Sequence, residues 1–124
     1  MHLDNFTRSY ITAALWASHA VDDATGDDYE SLEAFDLDDI DDATLAVLIA
    51  DCGQFQSENE LPAYDHGQYS DAELAGHDFW LTRNGHGTGF WDRGLGEVGE
   101  RLSEAAHQYG EFHFWLDNGV IHGE

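Results

Sequence analysis

Between Asp22 and Asp42 the chain places eleven carboxylates in 21 residues and no positive charge. Ionised carboxylates cannot leave water unless they are paired or hydrogen-bonded. The partners are not there: the whole chain has 26 Asp and Glu, and its only cations besides histidine are Arg8, Arg83, Arg93 and Arg101. Whatever fold forms must therefore carry this segment, DDATGDDYESLEAFDLDDIDD, on its outside. It is not a plain polar tail, because Tyr29, Leu32, Phe35, Leu37 and Ile40 interrupt it. Those apolar groups can pin the strip to a body while the acids stay solvated.

The body has enough material to fold. Apolar residues make up 42% of the 124 positions, close to the globular norm, with 7 Phe, 5 Tyr and 4 Trp among them. A chain of this length fits one domain, residues 1–124, burying roughly two thirds of its unfolded surface. Asp4 or Asn5 caps a first helix predicted to run to about Val21, with Leu3, Phe6, Tyr10, Ala13 or Ala14, and Ala17 on its inner face. Asp41 or Asp42 caps a second, Ala43 to about Gln56, whose buried stripe is Leu45, Leu48, Ile49 and Cys52. Residues Ser57 to Tyr69, with the only proline, Pro62, read as a connection.

Ser70 and Glu73 form a capping-box pattern that opens a third helix, ending near Asn84 at Gly85. A glycine-rich loop, Gly85 to Gly96, leads to a fourth helix from about Leu95 to Tyr109, stopped by Gly110. The period then changes to two. Phe112, Phe114 and Leu116 alternate with His113, Trp115 and Asp117, and Asn118-Gly119 is a strong hairpin-turn signal. A two-residue turn pairs Trp115 with His122 and Leu116 with Ile121. The expected class is α+β, mainly helical with about four helices, plus a small C-terminal antiparallel hairpin.

The charge excludes several functions. A net charge of −22 sets up a potential of several kT over the surface. Nucleic acid and anionic membranes are won by Lys and Arg, of which this chain has four Arg and no Lys, so neither is an expected partner. The N-terminal MHLDNFTRSY has neither a basic nor an apolar leader pattern, and the longest apolar stretch, Ala43 to Ala50, is too short to span a bilayer. The lone Cys52, in an apolar run, reads as a buried inert thiol in a reducing compartment.

One segment is dense enough in reactive side chains to suggest chemistry: GHDFWLTRNGHGTGFWDRGLG, Gly76 to Gly96. His77, Asp78, His86 and Asp92 can be read as a metal-dependent enzyme site, but their spacing matches no known ligand signature. The stronger reading is structural: Arg83 and Arg93 pair with buried or half-buried acids, and Phe79, Trp80, Phe90 and Trp91 belong to the core. NGHGTG lacks the lysine and preceding strand of a phosphate loop. No catalytic residue, metal or cofactor is expected.

The run AGHDFWLTRNGHGTGFWDRGLGEVGERLSEAA, with FTRSYITAALW before it and FWLDNGVIHGE after it, resembles a recurring group of small acidic proteins of phages and mobile elements. The likeness covers most of the chain and implies a context, an accessory protein in a bacterial cytoplasm, without implying any catalytic residue. Joined to the charge, it sets an expectation: an inhibitor of the anti-CRISPR or anti-restriction kind that offers carboxylates to the basic groove of a nucleic-acid-binding host defence protein. Duplex DNA carries one charge per roughly 1.7 Å of axis, a density the strip can approach. The expected contact residues are Asp22, Asp23, Asp27, Asp28, Glu30, Glu33, Asp36, Asp38, Asp39, Asp41 and Asp42. The competing reading is a small acidic accessory protein, with adaptation to high salt as one form of it, whose acids are only a solvated coat; against it, the acids bunch in one place.

Overall fold

A computed structural model describes residues 3–64, 68–86 and 89–124; parts of the two expected connections, residues 65–67 and 87–88, lie outside the described residues. Helix α1 (Asn5–Ala17) begins where the sequence places it, Asp4 accepting the Thr7 N–H at 2.8 Å. It ends four residues earlier than expected. Its last carbonyls are taken by the acidic segment: Leu32 N–H donates to Leu15 and Ser18 oxygens, and Ser31 Oγ donates to the Trp16 oxygen at 2.8 Å. The chain then extends as β1 (Ala20–Val21), which pairs antiparallel with β2 (Asp28–Tyr29).

A 3-10 turn (Leu37–Asp39) leads into α2 (Asp42–Glu58), capped by Asp41. Leu45, Leu48 and Cys52 are buried as expected; Phe55 joins them, while Ile49 is only half-buried. Burial pushes the Cys52 thiol up from its ordinary value, which keeps it protonated. Helix α3 (Asp71–Arg83) opens on the Ser70–Glu73 capping box and stops before Gly85, whose φ of 70° favours glycine. A 3-10 turn (Phe90–Asp92) precedes α4 (Glu97–His107), a turn shorter than expected. Strands β3 (Phe114–Asp117) and β4 (Val120–Gly123) form the C-terminal hairpin in the expected register, Trp115 opposite His122 and Leu116 opposite Ile121. Asn118 and Gly119 turn it with φ of 52° and 78°. The protein is α+β and mainly helical.

Helices α1 and α3 pack closest. Gly76 permits it: a Cβ there would run into the Phe6 backbone carbonyl. Around that crossing lies an aromatic core in which Phe55 stacks on Phe79 at 4.1 Å between centroids and on Phe90 at 5.8 Å, with Phe6 and Tyr10 against them. Such pairs add to simple area burial by about 0.5–1.5 kcal/mol each. Trp91 was expected in this core but is 54% exposed, because the 3-10 turn directs its neighbour Phe90 inward instead.

Candidate functional site: the anchored acidic segment

Both ends of the acidic segment are tied to the C-terminal hairpin. Asp22 and Leu116 form one parallel bridge, with Asp23 N–H donating to the Leu116 oxygen at 2.9 Å. Ile40 and Ile121 form the other, with Asp41 N–H donating to the Ile121 oxygen at 2.8 Å. The hairpin thus lies between the two ends of the strip. Ile40 is buried at its tie, Leu32 is buried between the two, and Tyr29 and Phe35 meet edge-on at 5.2 Å. The apolar residues pin the strip as their spacing suggested.

The eleven acids do not share one environment. Asp22 is 3% exposed, and its two oxygens accept four backbone N–H groups, from Ala24, Thr25, Asn118 and Gly119, at 2.8–3.2 Å. Burial opposes its ionisation, but the four donors outweigh burial and hold its carboxyl below the ordinary range. Asp22 builds the fold and is not free to meet a partner, so it leaves the expected contact set. Asp39 and Asp41 are half-buried: Asp39 accepts the Asp36 N–H, and Asp41 caps α2 beside His122, 4.0 Å away. The other eight, Asp23, Asp27, Asp28, Glu30, Glu33, Asp36, Asp38 and Asp42, are exposed. Of these, Asp28 meets the His19 ring on the body, Oδ1 2.5 Å from Nε2.

The residues of the alternative metal site go separate ways. Asp78 is 1% exposed and is held by Arg93 through a bidentate pair, the shortest contact 2.8 Å, and by the Tyr64 hydroxyl at 2.9 Å. Its burial is offset by His77, Arg93 and Tyr64, which together keep the carboxyl below its ordinary value. His77 lies beside it, Nδ1 3.9 Å from Oδ1, whereas His86 and Asp92 are exposed on other segments. Among the described residues no three His, Cys, Asp or Glu side chains come together as metal ligands. On the hairpin, His122 stacks on Trp115 at 5.7 Å between centroids, and His113 sits by Glu111.

The arginines behave as scarce cations. Arg83 is buried, donating to Asp51, to the Tyr10 hydroxyl and to the Gly110 and Tyr109 carbonyls, between the rings of Phe79, Tyr109 and Phe112. Arg8, in contrast, lines a surface trough along α1. Two clefts of about 500 Å³ and 510 Å³ share Arg8, Thr12 and His77. One is walled by Phe35 and Leu37 of the acidic segment, facing Ile11, Leu15 and Trp16 of α1. Sequence reasoning missed this trough. The one available signal was the spacing of Trp16 from Thr12 and Arg8, which puts this large apolar ring on the outer, exposed face of α1.

Set against known protein families, curated proteins and solved structures, the chain matches none. Among the described residues no helix is long and apolar enough to cross a membrane. Fold and surface define a small α+β protein that carries an anionic segment anchored at both ends.

Proposed function

We propose that the protein is an acidic inhibitor that docks its carboxylate strip in the basic, nucleic-acid-binding groove of another protein. The observation that carries this reading is the exposure of eight carboxylates on a segment held at both ends and in the middle. An anchored polyanion loses less conformational freedom on binding than a floppy one, so more of its charge energy appears as affinity. Complementary charge also speeds encounter with a basic groove and makes binding fall with salt. The likeness to small acidic proteins of phages and mobile elements favours a host defence protein as partner, a CRISPR surveillance complex or a restriction enzyme, met in the bacterial cytoplasm.

The test is displacement. The protein is titrated into such a nuclease carrying labelled duplex DNA, at several salt concentrations. Release of DNA that weakens as salt rises is expected. Asp23, Glu30, Glu33 and Asp38 make none of the capping bonds of the strip, and replacing all four with Lys is expected to abolish release with the fold intact. Unchanged release by that variant overturns the reading.

A further inference from the structure

The apolar end of the trough is built from both the helical body and the strip. Ile11 and Leu15 form its floor, and Trp16, Phe35 and Leu37 its walls. Trp16 is 58% exposed, and unlike the exposed Trp91 and Trp115 it lines a cleft together with other apolar side chains, Phe35 and Leu37. The rim on the strip side carries Glu33 and Asp36, both exposed. Glu33 is held near Trp16 by its neighbours Ser31 and Leu32, which bond to the Trp16 and Leu15 oxygens, whereas Arg8 stands about 12 Å along α1 from Trp16 at 1.5 Å per residue. The cleft therefore offers apolar contact and negative charge together at one end, and positive charge at the other.

A strip of carboxylates attracts any basic surface; it does not choose among them. Selectivity at interfaces comes from a few large side chains seated in desolvated pockets, ringed by polar groups that exclude water. We infer that this cleft is the selective part of the acidic surface: it receives one large apolar side chain of the basic partner, whose neighbouring Lys or Arg meets Glu33 and Asp36. The inference rests on the docking reading above and adds to it the chemistry of the segment recognised. The charge at the two ends sets its direction. A Lys or Arg beside the anchor is welcomed at the Glu33 rim and repelled at Arg8. The strip supplies attraction, and the cleft supplies choice.

Two short peptides serve as probes for the full chain: four lysines around a central leucine, and four lysines around a central glycine. Dissociation constants and amide and indole shifts are followed by NMR. The leucine peptide is expected to bind about tenfold tighter, its shifts centring on Trp16 and Phe35. Thr12→Phe, which fills the cleft from an exposed position, and Trp16→Ala are each expected to erase that gain and leave glycine-peptide binding unchanged. Equal binding of the two peptides by the unaltered protein overturns the cleft and leaves the charge reading standing. A gain that survives both substitutions overturns it too, since the leucine then lodges elsewhere. Equal affinity for a leucine flanked by four glutamates overturns it as well, by giving charge selection to Arg8. No binding of either lysine peptide at low salt overturns both readings.

Discussion

The segments Asp22–Asp42 and Gly76–Gly96 are the two parts of the chain richest in polar chemistry, and they spend it in opposite directions. In the second, charged groups turn inward: Asp78 clasps Arg93 and Tyr64, and Arg83 is buried among aromatic rings and carbonyls. In the first, the apolar residues turn inward and eight carboxylates face water. A dense run of His, Asp and Arg is therefore no sign of a site when Asp78, Arg83 and Arg93 are already satisfied by the fold and His86 and Asp92 lie apart on the surface. A monotonous run of acids is more informative, because it leaves groups over.

The sharpest way to test that contrast is to remove an inward charge. Arg83→Met leaves Asp51, the Tyr10 hydroxyl and two carbonyls without their donor, and is expected to lower unfolding free energy by about 3–5 kcal/mol, read from urea denaturation. Next comes Gly76→Ala, which presses the α1–α3 crossing apart and is expected to cost about 1–3 kcal/mol by the same measurement. Asp22 is the one acid of the strip that behaves like the other region. Asp22→Ala is expected to destabilise clearly and to speed hydrogen exchange at Asn118 and Gly119, whose N–H groups lose their acceptor.

Acid has the same target. Because the folded carboxyl of Asp22 lies below the ordinary value of 3.8, its stabilisation is complete above that value and is lost as pH falls through the lower folded one. Protection of the Asn118 and Gly119 amides, corrected for the intrinsic pH dependence of exchange, is expected to fall in that window and to stay level near neutral pH. The smallest effect belongs to the outward acids. Replacing Asp23, Glu30, Glu33 and Asp38 by Gln or Asn is expected to change stability by under about 1 kcal/mol, in the stabilising direction, since each removes self-repulsion. Collapse of that variant, or unfolding of the unaltered protein in low salt, would instead support the salt-adapted coat.

Much of the fold was legible because its signals are local. Asp4, Asp41 and the Ser70–Glu73 box cap helices from within three residues, and Asn118-Gly119 fixes the hairpin register by its own backbone preference. The burial of Leu32 and Ile40 amid acids was legible for the same reason, from spacing within one segment. What escaped depends on distant partners. Helix α1 looked four residues longer than it is because residues of the strip, not its own sequence, take its last carbonyls. Asp22 looked like ten other acids until Asn118, 96 positions away, was brought beside it. The trough escaped too, since its walls come from α1 and from the strip.

The two bridges at Leu116 and Ile121 have a consequence for timing. During synthesis the acidic segment leaves the ribosome long before the hairpin that clamps it exists. Its internal ties, the Ala20–Tyr29 pairing and the burial of Leu32 against α1, are available early, but its two ends have nothing to hold until residue 121 has emerged. Until then the strip is a loose polyanion on a partly built body. The hairpin Phe114–Gly123 thus decides when charge becomes shape.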